Sequence, residues 1–193
     1  MRGWYSRGYL PHCDEPDRIQ FITYRLYDSM PKAVLDAYDD ALRRGEIDEL
    51  ERMRKIERYL DNGHGACWLR NTAVAEMVEG NLKHFDGARY RLLAWCVMPN
   101  HVHVVIETVE AYSLEDVTHS WKSYSAHRLN RLVGRSGAVW QTEVFDRYMR
   151  SPLHLARTVL YVEENPAAAK LVGRSEDWPF GSARFREDVE EPL

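Results

Sequence analysis

Apolar and polar residues follow two different periods along this chain, and the switches between them mark out its elements. Residues 19–26 are rich in aromatic and β-branched side chains and read as a strand. Val34, Ala37, Tyr38, Ala41 and Leu42 then recur at helical spacing, with Ser29 or Met30 near the cap and Pro31 in the first turn, until Gly45 ends the run. Ile47, Leu50, Met53, Ile56 and Leu60 repeat every three or four residues and predict a second helix over 47–60. The Asp61-Asn62-Gly63-His64-Gly65 cluster is a loop. A third helix is expected over 72–85, with Thr72 as its cap and Ala75, Val78 and Leu82 on one face.

The period then changes. Residues 90–98 form a dense apolar run of strand length, residues 101–107 a second strand, and only Pro99-Asn100 lies between them, so the two are expected to pair as an antiparallel hairpin. Side chains two apart on a strand point the same way. His101 and His103 therefore share one face, and Val102, Val104 and Ile106 the other. Ser113 with Asp116 opens a helix that runs to about residue 133, where Gly134 and Gly137 break it. Residues 139–145 are a weaker strand candidate. Ser151-Pro152 opens a last helix with Leu155, Val159 and Val162 on its apolar face, and Asn165-Pro166 is expected to end it, because a residue before proline disfavours the α region. This order predicts an α+β fold: a ferredoxin-like antiparallel sheet of the split β-α-β kind, with inserted helices and a C-terminal helix.

Composition narrows the class. At 193 residues and 45% hydrophobic, the chain suits one domain, comprising an irregular arm over 1–16, an inserted helical region over 32–85 and a core over 90–185. No apolar run is long enough to span a membrane and the N-terminus lacks a secretory stretch, so a cytoplasmic protein without membrane contact is expected. Cys13, Cys67 and Cys96 are widely spaced and in no C-x-x-C pattern, which argues for reduced thiols, with Cys96 in the core. The net charge of -4 does not advertise a nucleic-acid binder, but it is unevenly spread. Lys122, Arg128, Arg131, Arg135, Arg147, Arg150 and Arg157 face only Glu143 and Asp146 between 121 and 157. The acidic residues crowd the early helices, where they read as solvated faces, and the tail.

Two imidazoles on one strand face, followed by Tyr161 with Asn165 four residues on, are the parts needed to hold a metal against a phosphate and attack it. A bare H-x-H is weak by itself. Its context is stronger: the run Trp95-Cys96-Val97-Met98-Pro99-Asn100-His101-Val102-His103, with Lys122, Trp140-Gln141, Asp146-Arg147, Arg150, Tyr161, Asn165-Pro166 and Trp178-Pro179, resembles the REP-associated tyrosine transposases of the single-tyrosine HUH superfamily. The opening segment Arg7-Gly8-Tyr9-Leu10-Pro11-His12, with Thr23-Tyr24-Arg25-Leu26 and Asp28-Ser29, resembles the start of one subgroup.

The resemblance implies metal-dependent cleavage and rejoining of single-stranded or hairpin DNA through a 5′-phosphotyrosine. It implies Tyr161 as nucleophile, His101 and His103 as metal ligands, Asn165 as a third, and Mg²⁺ or Mn²⁺ as the cation. A homodimer is compatible with it. Related enzymes often carry glutamine at the third-ligand position, and the alternative for Asn165 is a cap to a following helix with Pro166 at its first position. Lys122, Arg128, Arg131, Arg147 and Arg150 are candidate phosphate contacts, and Arg7 and Tyr9, with Arg2, Trp4 and Tyr5, a candidate clamp on unpaired bases. Tyr148 is the rival nucleophile but has no amide one turn away. Isolated His119, His127 and His154 read as surface or capping groups. Two other readings remain: a domesticated relative that binds structured DNA without cutting it, and an unrelated metallohydrolase, which would need further acidic ligands such as Glu107.

Overall fold

The computed structural model describes residues 4–6, 11–13 and 18–186. The first two segments are short strands, β1 (Trp4–Ser6) and β2 (Pro11–Cys13), which pair antiparallel where the sequence predicts only an irregular arm. The main sheet contains β3 (Ile19–Arg25), β4 (Tyr90–Val97), β5 (His101–Thr108) and β6 (Phe145–Tyr148), in the order β4-β5-β3-β6 with every neighbour antiparallel. This is the expected ferredoxin-like arrangement, and it puts β5, which carries both histidines, inside the sheet.

Among the described residues, five α-helices complete the fold: α1 (Lys32–Arg43), α2 (Glu49–Asp61), α3 (Thr72–Lys83), α4 (Leu114–Leu132) and α5 (Pro152–Ala168). Their starts follow local chemistry. Ser113 and Asp116 make the reciprocal capping box at α4, Ser151 caps α5 with Pro152 in its first turn, and Asp48 caps α2. Asn71 rather than Thr72 caps α3. At α1 the cap position is Pro31, and the Ser29 hydroxyl instead turns inward to donate to the Leu26 carbonyl.

The sheet separates two cores. Val102, Val104 and Ile106 meet Ile22, Tyr24, Val78, Leu82, Val117 and Trp121 beneath α3 and α4. Two buried polar groups form a relay there: Trp121 Nε1 donates to the Tyr90 hydroxyl at 2.8 Å, which donates to the Leu82 carbonyl at 2.6 Å. On the opposite face, Phe21, Ala94, Cys96, Met98 and Val105 pack under Val162 of α5. The two parities of β5 thus feed two cores, and the histidines belong to the α5 side.

Two expectations are corrected. Residues 139–144 form no strand; β6 begins at Phe145, while Val139, Trp140 and Val144 are buried from an irregular connection that makes the Leu26–Trp140 bridge and packs the Trp140 ring 4.8 Å from that of Tyr24. Their apolar character reflects burial, not pairing. Asn165-Pro166 also fails to end α5, which continues to Ala168. Pro166 forgoes the N–H bond to the Val162 carbonyl, but with only two helical residues beyond it the helix closes through Ala169 N–H to the Asn165 carbonyl and Leu171 N–H to the Pro166 carbonyl. Among the described residues, no helix is long and apolar enough to cross a membrane.

Candidate active site

The register of the sheet defines the site. Thr23 lies opposite His103, Arg25 opposite His101, and Cys96 opposite His103 on the other side, so all of these side chains project to one face. Both imidazoles are fully buried. Their outer nitrogens are anchored. His101 Nδ1 lies 2.8 Å from Asn100 Oδ1, and His103 Nδ1 lies 2.8 Å from the Thr23 hydroxyl. The Asn100 amide is itself oriented, since its Nδ2 donates to the carbonyls of Leu60 and His64. Only an oxygen then faces His101, which fixes the proton on Nδ1 and leaves the Nε2 lone pair pointing inward.

The two Nε2 atoms meet at 3.0 Å. Burial pushes both imidazoles below their ordinary pKa, His103 to about 3 and His101 also well down, helped by its neighbour, so both are neutral at physiological pH.

Helix α5 brings Tyr161 over this pair. Its ring centre lies 5.6 Å from that of His103 and 5.9 Å from that of Phe21, edge to face with both. The hydroxyl is shielded from solvent, and Glu57 and Asn165 lie beside it without forming a hydrogen bond of regular geometry. Burial first, then the negative field of Glu57 and Asp61, raises the phenol pKa above its ordinary value, so it is protonated at rest. Because α5 is continuous, Asn165 falls one turn after Tyr161 on the same side, buried, with Oδ1 lacking a partner. The alternative of Asn165 capping a new helix is thereby removed.

A third element enters that the sequence reading placed on a solvated face. Helix α2 brings Glu57 and Asp61, one turn apart, into the same space. Burial raises the Glu57 carboxyl to about 7, against the pull of Tyr161 and with a further push from Asp61; burial likewise raises Asp61 to about 6. Asp61 Oδ1 lies 3.8 Å from His101 Nε2 and is another buried oxygen without a hydrogen bond. At i and i+4 among nine early acidic residues, these two look like ordinary solvated charges. Each directly follows an apolar position, Ile56 or Leu60, but so do Asp48 and Glu51, so no sequence signal separates them.

These donors suit a divalent cation. Two neutral imidazole nitrogens at 3.0 Å, together with unpartnered oxygens on Asp61 and Asn165, form a mixed nitrogen and oxygen set. Among the described residues, no three His, Cys, Asp or Glu side chains already converge as a cation cage, so a set built on the two imidazoles would draw on the Asn165 amide.

The predicted phosphate contacts separate. Arg147 lies opposite Phe21 in the register and so projects to the histidine face, close enough to lower the pKa of Glu57. Arg150 is exposed just after β6, its guanidinium 5.3 Å from the Tyr148 ring. Lys122, Arg128 and Arg131 belong to α4, which covers the other face of the sheet, and Lys122 donates to the Thr142 carbonyl at 2.6 Å. Tyr148 pairs with Gln20, out of phase with Arg147, and projects away from the histidines. Glu107 pairs with Arg91 at 2.8 Å, so it is not poised as a ligand. His154 accepts from the Arg150 N–H at the start of α5, the capping use expected of it, and His119 and His127 are exposed. Arg7 and Tyr9 lie outside the described residues.

Comparison with known proteins gives the chain a family and confirms its fold. A curated protein of Haemophilus influenzae, provisionally named a REP-associated tyrosine transposase, is 26% identical over 110 residues, covering 52% of this chain and 61% of its own length. The chain thus spans less than two thirds of that relative. A solved structure described as a REP-associated tyrosine transposase bound to a REP hairpin superposes over 98% of this chain and 90% of its own, with a TM-score of 0.52 and 16% identity, and so shares the fold. Residues 70–165, which include both histidines, Tyr161 and Asn165, match the family described as "Transposase IS200 like". The chain belongs to the IS200-like transposases, with a REP-associated tyrosine transposase among its relatives and the fold of that group.

Proposed function

We propose that this chain cuts and rejoins single-stranded or hairpin DNA of the REP kind by forming a 5′-phosphotyrosine on Tyr161. The observation that carries the reading is the placement of the Tyr161 ring 5.6 Å from the His103 ring, on the one sheet face where both imidazoles project. The transposase family and the hairpin held by the solved relative support DNA as the substrate.

His101 and His103 would hold a divalent cation, Mg²⁺ or Mn²⁺, through Nε2, with Asn165 Oδ1 as third donor and Asp61 beside them. Such a cation offsets the charge that builds on the nonbridging phosphate oxygens during displacement. The Tyr161 oxygen attacks phosphorus in line with the departing 3′ oxygen. Its proton passes to Glu57, the carboxylate beside it, because a phenol that stays protonated is a poor nucleophile. The bond from phosphorus to the 3′ oxygen breaks, the departing oxygen takes a proton from solvent, and the product is a phosphotyrosine with a free 3′ hydroxyl. A 3′ hydroxyl from another strand reverses the sequence without ATP, since the phosphotyrosine keeps the bond energy. Arg147, on the same face, contacts a phosphate of the strand.

The test is covalent capture. Incubated with hairpin repeats taken from beside its own gene and with Mn²⁺, the protein should give a denaturation-resistant DNA adduct that Tyr161→Phe abolishes. Tight hairpin binding with no adduct under any divalent metal would favour the non-cleaving alternative, and no binding would reject both.

A further inference from the structure

Helix α1 buries none of its residues, although Val34, Leu35, Tyr38 and Leu42 recur at helical spacing. Part of that stripe lines a cavity of about 480 Å³ between the α1–α2 hairpin and the β3–β6 side of the sheet. Leu35, Met53 and Ile56 line it from the helices, and Val144 and Phe145 from the opposite wall, with the polar side chains of Gln141 and Glu143 among them. It shares walls with the candidate active site. Thr23, which bonds His103, and Glu57, which lies beside Tyr161, both line it.

Arg25 supplies the charge. It lines the same cavity, stands opposite His101 in the register, and is half-buried. Its guanidinium donates only to Ser29 Oγ, at 3.4 Å, and among the described residues it forms no ion pair. The contrast is within the same wall, where Arg52 is buried against Asp39 at 2.5 Å. A partly desolvated cation without a counter-ion, next to a site for phosphate chemistry, fits an anion that arrives with the substrate.

We propose that this cleft receives the nucleotide next to the scissile phosphate, with its base between the apolar side chains of the hairpin and Val144–Phe145 and its phosphate on Arg25. This rests on the DNA-cleavage reading above and adds a subsite to it. A splayed-out base presents flat apolar faces and a polar edge, and the cleft offers apolar walls with Gln141 and Glu143 at hand. Its volume is that of a small-ligand pocket. Both the α1–α2 hairpin and β3, which carries Arg25, lie outside the family match, which begins at residue 70.

The experiment is an abasic scan. Hairpin oligonucleotides with a single abasic residue at successive positions around the cleaved phosphate are titrated against the full chain by fluorescence anisotropy, and adduct yield is read in parallel. One position adjoining the cut should raise Kd roughly tenfold. That loss should vanish in Leu35→Trp or Ile56→Trp, which fill the cleft, each checked for native melting. Arg25→Gln should weaken the intact hairpin and reduce the salt slope by about one contact. A flat scan in the unaltered protein, with intact hairpin still bound and cut, overturns the subsite alone. So does an abasic loss of equal size in the filled variants. Failure to bind or cut any hairpin, intact or abasic, removes the DNA-cleavage reading and the subsite with it.

Discussion

The carboxylate of Glu57 on α2 and the hydroxyl of Tyr161 on α5 occupy one buried space, although their helices lie on either side of the β4–β5 hairpin in sequence. Glu57 raises the cost of ionising Tyr161, whereas Tyr161 eases the ionisation of Glu57, whose rise comes from burial and from Asp61. The phenol is held protonated, and the carboxyl sits near neutrality at about 7. With Glu57 near neutrality its carboxylate is basic enough to accept a proton at physiological pH, which a carboxylate at its ordinary pKa does less well, while the phenol gives up its proton against its own raised pKa.

Glu57→Gln should therefore reduce the rate of adduct formation by roughly 10²-fold or more while sparing hairpin affinity. In the unaltered protein the rate should rise with pH through about 7, as Glu57 ionises, and the variant should lose that inflection. Single-turnover rates between pH 5.5 and 8.5 provide the check, and an unchanged profile in Glu57→Gln would remove it as the proton acceptor.

Stability should respond with a definite sign. The folded-state pKa of Glu57 lies above its unfolded value of 4.5, so the folded chain binds more protons and ionisation opposes folding. The cost is absent below about 4.5, grows as pH rises to about 7, and is complete above it. Glu57→Gln should accordingly raise Tm at pH 8 and leave it nearly unchanged near pH 4.5, which calorimetry at the two pH values can measure.

Tyr161→Phe should abolish the adduct without destabilising the fold, because the hydroxyl it removes makes no regular hydrogen bond. Tyr148→Phe should keep the adduct, since that side chain projects from the other face of β6. The opposite pattern would name the wrong tyrosine.

Removing metal with EDTA should prevent the adduct, and adding Mn²⁺ should raise Tm in the unaltered protein but not in His103→Ala. Undiminished adduct after chelation would reject the metal role.

Asn100→Ala should weaken metal affinity by about 10- to 100-fold, since it frees the His101 ring whose Nδ1 the amide engages. It should also cost about 1–3 kcal/mol of stability, because the carbonyls of Leu60 and His64 lose their donor. Isothermal titration with Mn²⁺ and urea melts would measure the two effects separately.

The parts of this protein set by short-range rules were legible early. Strand alternation placed His101 and His103 opposite Val102 and Val104, the short Pro99-Asn100 link made β4 and β5 neighbours, and Ser113-Asp116 and Ser151-Pro152 marked two helix starts. The errors occurred where packing overrides local preference. Val139, Trp140 and Val144 are apolar because they are buried from an irregular segment, and Asn165 stays helical because α5 needs only one more half-turn.

The carboxylates that α2 brings to the candidate site had no local signature. Glu57 and Asp61 are acidic residues on a helix rich in charge, and nothing in their neighbourhood distinguishes them from Glu51 or Asp48. What distinguishes them is removal from water, which depends on how α2 lies against α5 and the sheet. Arg25 became a half-buried cation for the same kind of reason, through the β3–β5 register. The sequence by itself determined the periodicities, the caps of α4 and α5 and the shared face of His101 and His103, because these depend on neighbours a few positions apart. Tertiary structure alone decided which charges lose their solvent, since desolvation is set by atoms distant along the chain.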